Sequence, residues 1–246
     1  MTIKGIIACL PSYPRNQIQQ LHFRKKLQNA TVESEPELAV IKDLVSPGQS
    51  VLDVGANFGL YTKFLSEAAG PEGHVYAFEP TFDMFRVLRN NVETLRLLNT
   101  NAFQMACSEN VAELDFYIPK RTDGTLNYYE ASLEKDTIEG DFEVCRVPAT
   151  SLDRFCAAHV IGKVDFMKID VEGHEIAVLE GAEEILTGDR PKIFIEINEP
   201  LTDGAHGTEV RHIIERHNYS IHVFDNGRIT PWTPEQKRVN YILLPE

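Results

Sequence analysis

Apolar and polar positions along this chain alternate in blocks. Short apolar runs at Ser50 to Val54, His74 to Phe78, Val164 to Ile169 and Lys192 to Ile197 read as strands buried on both faces. Between them, Leu60 to Ala69, Phe82 to Leu95 and Ile176 to Leu186 read as helices; in the second, Phe85, Leu88 and Val92 fall at helical spacing. An earlier helix, Glu35 to Val45, places Leu38, Ile41, Leu44 and Val45 on one face and is broken by Ser46-Pro47-Gly48. Ala102 to Ala106 predicts a third strand. Strands alternating with helices predict an α/β fold on a mostly parallel sheet with helices on both faces.

The rhythm then breaks. Glu113 to Ile118 and Glu143 to Val147 predict two strands enclosing a polar stretch, Pro119 to Asp141, that is too long for a plain turn and reads as a lid or functional loop. Ser151 to His159 predicts a short helix capped by Ser151 or Thr150. Val210 to His217 predicts a helix, and Ser220 to Phe224 and Tyr241 to Leu244 two closing strands. Residues 1–34 form a separate N-terminal segment, in which Ile18, Leu21, Phe23 and Leu27 predict an amphipathic helix, packed on the core or serving as a lid. Residues 35–246 then make one domain, with no repeat and no linker.

The turn after the first strand carries the chemistry. Asp53-Val54-Gly55-Ala56-Asn57-Phe58-Gly59 is a strand end running through a glycine turn into a helix, and Glu79 stands at the end of the next strand. These are the parts of a nucleotide-binding βαβ unit. Asn57 stands where a dinucleotide fingerprint needs its middle glycine, so a loop cradling a pyrophosphate is not expected. An acid at the second strand end suits ribose hydroxyls, and Asp53 suits a cationic amine, directly or through water. Glycines let the backbone come close to a ligand.

Composition narrows the partners. The chain has 246 residues, 43% hydrophobic and 25% charged, with a formal net charge of −13. That balance opposes nucleic-acid binding, which needs clustered Lys and Arg; His22, Arg24, Lys25 and Lys26 form only a short basic cluster. Cys9, Cys107, Cys145 and Cys156 lack C-x-x-C spacing, so a reducing, cytoplasmic setting is expected rather than a disulfide scaffold or zinc site. Pro11 cuts short the apolar start, and no run is long enough to span a bilayer, so no membrane partner is expected. No signal for an oligomeric state is visible.

Asp53, Glu79, Asp170 and Glu196 all fall at carboxyl ends of predicted strands, where open α/β sheets bind ligands. Singly, each is as well explained as a cap or surface charge. Together they predict one acidic crevice.

The motif Asp53-x-Gly55-x-Asn57-x-Gly59 resembles the first motif of class I S-adenosylmethionine-dependent methyltransferases. Joined with Phe78-Glu79-Pro80, Thr150-Ser151-Leu152-Asp153 and Lys168-Ile169-Asp170-Val171-Glu172-Gly173-His174-Glu175, it resembles the FkbM-type methyltransferases over about residues 35 to 200. The Ala131-Ser132-Leu133 triplet agrees. The resemblance implies a Rossmann-like sheet of seven strands with the last antiparallel, S-adenosylmethionine as cofactor, and methyl transfer to a hydroxyl of a sugar or polyketide-like small molecule. It implies that Asp53, Gly55, Asn57, Gly59 and Glu79 hold the cofactor, with Asp170 beside the methyl group. Ala56, Tyr61, Thr62, Pro80 and Ser108 are assigned to the same site. The alternatives are a methyltransferase acting on RNA or protein, and a non-catalytic S-adenosylmethionine-binding protein.

A sulfonium methyl is already electrophilic, so alignment supplies much of the catalysis, roughly 7–11 kcal/mol in favourable cases. A hydroxyl acceptor also needs a base, worth about 10²–10⁴-fold. Asp170 or Glu196 is expected to serve, with His174 as second choice. Glu172 and Glu175 open a helix, where stabilising its dipole is the simpler role. Asp170, Glu196 and Asn198 offer oxygen ligands at adjacent strand ends, but their spacing is not specific to a metal and none is assigned.

Overall fold

The computed structural model describes residues 21, 23–31, 35–202 and 204–246. Ile18 and the rest of residues 1–20 lie outside the described residues. Among the described residues, no helix is long and apolar enough to cross a membrane.

The predicted alternation holds. Strand β1 (Ser50–Val54) leads through the glycine turn to a helix at Leu60–Ala69, then β2 (His74–Phe78), a helix at Phe82–Thr94, and β3 (Thr100–Phe103). After the inserted region come β7 (Phe166–Ile169), a helix at Glu175–Glu180, β8 (Lys192–Glu196), a helix at Ala205–Arg216, β9 (Tyr219–Asp225), β10 (Arg228–Pro231) and β11 (Asn240–Pro245). The main sheet runs β10-β9-β11-β8-β7-β1-β2-β3. Pairs from β3 across to β8 are parallel, and β11 is antiparallel to both neighbours. The crevice in which such a sheet binds ligands lies beyond the carboxyl ends of β2, β1, β7 and β8.

Several expectations need adjustment. The sheet has eight strands, because Asn226 and Gly227, both at positive φ (48° and 77°), turn the chain back and add β10 to the seven. Such φ values are what a two-residue hairpin turn requires, and Pro231 is tolerated because β10 lies at the sheet edge. The third strand ends at Phe103. Ala106–Cys107 then forms β4 in a second sheet, between which and β5 (Ala112–Pro119) lies β6 (Phe142–Thr150). Residues 35–45 form a 3-10 turn at Pro36–Val40 and only a short α-helix at Ile41–Leu44. The helix expected to reach Leu186 stops at Glu180, with a π turn at Ile185–Asp189. Gly181 marks the break, where a Cβ would lie 2.1 Å from the Ser108 carbonyl oxygen.

One face of the sheet packs on the helices at Leu152–Ala158, Glu175–Glu180 and Ala205–Arg216 around Leu52, Phe78, Met167, Ile195 and Tyr241, and the other on Ile41–Leu44 and Leu60–Ala69 around Val51, Val75, Phe166, Phe194 and Ile242. Helical residues 23–29 place Phe23 and Leu27 against Phe58, Met84 and Val87. Lys26 lies over the Phe58 and Tyr129 rings at 5.1 and 5.2 Å. Residues 23–29 therefore lean on the glycine turn and the inserted loop together. Ser151 caps the helix at Leu152–Ala158, as expected, its side chain accepting from the Arg154 N–H.

Candidate active site

The strand ends build a cavity of about 240 Å³ whose walls include Gly55, Asn57, Glu79, Pro80, Asp170 and Glu196. Three of the four expected acids thus meet. The fourth, Asp53, turns inward: it is fully buried, and its Oδ2 accepts a 2.5 Å hydrogen bond from the Thr62 hydroxyl. Its other oxygen makes no hydrogen bond but lies 3.9 Å from the Lys168 Nζ. The expectation that Asp53 contacts a ligand amine directly is therefore not met by this geometry.

Lys168 is the reason. It is the register partner of Asp53 across β1 and β7, and only 3% of its side chain is exposed. Its Nζ donates to the Gly55 carbonyl and to Asp170 Oδ2, each at 3.0 Å, and sits 5.0 Å from the centre of the Tyr61 ring. Burial alone would lower its pKa, but Asp170 and Asp53 outweigh burial and raise it. Burial raises Asp53, with Lys168 opposing. A single buried cation thus ties the glycine turn to the next strand end. One Lys in an otherwise apolar central strand was the sequence signal for it.

Gly55 has φ +78°, and a Cβ there would lie 1.8 Å from the Asp170 carbonyl oxygen. Its glycine is demanded by the crossing of two strand ends, not by ligand approach alone. Gly59, at φ +93°, begins the following helix against Leu88. Ala56 and Thr62 are buried, and Tyr61 packs under Lys168; none of these lines the cavity.

Glu79 is nearly buried. Its Oε1 accepts from the Thr81 N–H (2.9 Å) and hydroxyl (2.6 Å), and its Oε2 from the Asn57 N–H (3.1 Å). Burial nevertheless pushes its carboxyl up to about 7. Asn57 holds φ 49° and donates from Nδ2 to the Tyr128 carbonyl at 3.3 Å. Its buried Oδ1 has no partner. An orphaned acceptor beside a carboxylate, with no Lys or Arg among the described residues of the cavity wall, fits a ligand rich in N–H and O–H donors and does not fit a pyrophosphate.

The inserted loop covers this cavity. Tyr128, Tyr129, Ala131 and Leu133 line it. The Tyr128 hydroxyl donates to Asp83 at 2.7 Å, and the Ser132 hydroxyl to the Glu172 carbonyl at 2.5 Å.

His174 and Ser108 belong elsewhere. His174 Nε2 lies 3.0 Å from the Ser108 hydroxyl and Nδ1 lies 2.7 Å from Glu134 Oε1. Both ring nitrogens are engaged, so the histidine ties the loop to the β7 turn, and neither it nor Ser108 lines this cavity. Glu175 is also not a simple dipole partner: it is buried, accepts from the Gly173 N–H and pairs with His206 at 2.5 Å. Oxygens of Asp170, Glu172 and Glu196 lie within 4.8 Å of one another. Lys168 already supplies the neighbouring positive charge. Burial and then the Asp170 charge push Glu196 to about 7 and Glu172 to about 8. Burial holds Cys107 and Cys156 well above their ordinary range, so neither is a thiolate nucleophile.

The FkbM methyltransferase domain matches residues 53–221. A curated relative, 31-O-demethyl-FK506 methyltransferase FkbM of Streptomyces tacrolimicus, is 29% identical over 201 residues, covering 71% of this chain and 74% of that protein. The AMB antimetabolite synthetase AmbE of Pseudomonas aeruginosa is 26% identical over 212 residues, 73% of this chain but only 10% of that protein. Among solved structures, methyltransferase FkbM from Methylobacillus flagellatus KT superposes with a TM-score of 0.51 at 14% identity, covering 98% of this chain and 57% of that one. With a domain match over most of its length and a sheet order to go with it, the chain belongs to the FkbM methyltransferase family, with S-adenosylmethionine as its cofactor.

Proposed function

We propose that this protein transfers the methyl group of S-adenosylmethionine to a hydroxyl oxygen of a small molecule, a sugar or natural-product acceptor. The supporting observation is the shared wall: Glu79, at the ribose position, and Asp170 and Glu196 line one cavity beyond adjacent strand ends. The Streptomyces relative, a 31-O-demethyl-FK506 methyltransferase, supports oxygen as the accepting atom.

In this reading Glu79 accepts hydrogen bonds from ribose hydroxyls and Asn57 Oδ1 accepts a ligand N–H or O–H. Bound there, the cofactor supplies an electrophilic methyl group. Asp170, oriented by Lys168, and Glu196 face the positive end of the ligand, and their negative charge favours its approach. Asp53 acts through Lys168, holding the turn in place. A carboxylate of the acidic trio receives the acceptor's proton, and the loop at Tyr128–Leu133 excludes water.

The test is incubation with methyl-labelled S-adenosylmethionine and three substrate arms: hydroxylated small molecules, RNA and protein. Label in a methyl ether of a small molecule is expected. Label confined to RNA or protein, or binding of S-adenosylhomocysteine without transfer to any arm, would refute the proposal.

A further inference from the structure

A second cavity, about 730 Å³, adjoins the first; its walls include Glu134, His174, Glu175, Asn198, Glu199 and His206. Among the described residues Glu172 is the one side chain on the walls of both. Its position is tightly specified. The backbone stands at φ 51°, next to Gly173 at φ 97°, and Ser132 holds the Glu172 carbonyl. A non-glycine residue kept in that region costs on the order of 1–3 kcal/mol, and such strain gathers at functional sites. Asn198 Nδ2 donates to Glu172 Oε2 at 2.9 Å and so aims the carboxylate.

Resting on the methyl-transfer reading, we propose that Glu172 is the general base, receiving the proton of an acceptor hydroxyl that enters from the larger cavity. The other candidates are committed. Asp170 Oδ2 is held by Lys168, both His174 nitrogens are engaged, and Glu79 is taken up by Thr81, Asn57 and, in the methyl-transfer reading, the ribose hydroxyls. Glu196 lines the smaller cavity only. The acceptor oxygen bonds to the methyl carbon as the carbon–sulfur bond breaks. That bond's electron pair stays on sulfur, and the hydroxyl proton ends on the Glu172 carboxylate.

The surroundings suit that exchange. Glu172 faces Asp170 after β7, Glu196 at the end of β8, Glu175 on the next helix, and Asn198; the Lys168 ammonium is bonded to Asp170. Burial and these negative charges favour its protonated form. Beside a positive sulfonium the ionised form gains; once that charge is gone the protonated form is favoured again. Proton and methyl transfer thus assist each other.

The test uses the purified chain, calorimetry in two buffers of different ionisation enthalpy, and single-turnover transfer. At pH 7.5 the wild type should release more protons on binding S-adenosylmethionine than on binding S-adenosylhomocysteine. Glu172→Gln should abolish that difference while changing S-adenosylhomocysteine affinity less than about threefold, and should slow transfer roughly 10²–10⁴-fold. Asn198→Ala removes a bond that favours the ionised carboxylate, so it should move the midpoint of the proton release to higher pH. Persistence of the proton-release difference in Glu172→Gln, or its loss only in Glu196→Gln, would overturn the assignment. Absence of transfer by the wild type in every acceptor arm would instead count against the methyl-transfer reading, with the proton release still deciding whether Glu172 is the group that titrates.

Discussion

Gly55 has no room for a side chain, because the Asp170 carbonyl oxygen occupies the place of its Cβ. Gly55→Ala would also force a left-handed backbone on alanine, about 1–2 kcal/mol by itself. For a chain of this size each kcal/mol lowers the Tm by roughly 2–4 °C. Thermal denaturation should therefore show a fall of at least several degrees, and calorimetry a loss of S-adenosylhomocysteine binding. A variant with wild-type Tm would show that the turn can relax. Glu79 makes the opposite kind of contribution. Ribose hydroxyls do not change between ground and transition states, so Glu79→Ala should raise the cofactor KM far more than it lowers kcat. An unchanged KM in a folded variant would remove Glu79 from the cofactor site.

At the scale of elements, β7 carries the junction. It is buried along its whole length and yet contains Lys168, which joins it to Gly55 and Asp53 on β1. Removing one partner of a buried ion pair costs about 3–5 kcal/mol, since the remaining charge is stranded. Lys168→Met keeps the apolar stem and should still lower denaturant stability by roughly that amount. A loss below about 1 kcal/mol would mean that Asp53 and Asp170 are already neutral. The loop between β5 and β6 is the other element with a role. Its Leu126, Tyr128, Ala131 and Leu133 pack on the small sheet, and single hydrogen bonds pin it to Asn57, Asp83, Glu172 and His174. Limited proteolysis should cut it more slowly with S-adenosylhomocysteine and acceptor present. Equal rates with and without ligand would argue against a lid.

For the molecule as a whole, burial of carboxylates sets the pH dependence. Glu79 and Glu196 are pushed up to about 7 and Glu172 to about 8, all from an ordinary value of 4.5. The folded form therefore binds these protons more tightly than the unfolded chain. Their contribution to stability is full below the unfolded pKa and is lost as pH rises through 7 to 8. The Tm of the ligand-free protein should fall between pH 6 and 8.5, and Glu172→Gln should flatten the upper part of that fall. A Tm that climbs over the same range would contradict the assignment. Charge also restricts the acceptor. Among the described residues neither cavity wall contains Lys or Arg, and the larger one carries Glu130, Glu134, Asp136, Glu139, Glu172, Glu175 and Glu199. A phosphorylated form of any acceptor should bind at least roughly tenfold more weakly than its neutral form, less so at high salt.

The sequence by itself determined the order and type of most elements, because those follow from local periodicity. The bounds of β1, β2 and the helix between them coincide with the apolar runs that predicted them. It also determined the family and the pairing of Glu79 with the glycine turn, since both lie within one βαβ unit. Tertiary structure alone decided which way each acid points. Asp53 lies in the same motif as Gly55, but whether it meets ligand or Thr62 depends on Lys168 from a strand more than a hundred residues away (|i−j| = 113 for the Lys168–Gly55 bond). His174 lost its freedom to Ser108 and Glu134, at separations of 66 and 40. Glu172, in the family motif but read as a helix-opening charge, became the residue between two cavities through Ser132 and Asn198. Such contacts leave no periodic trace, because they are made by chain segments that only the closed sheet and its inserted loop bring together.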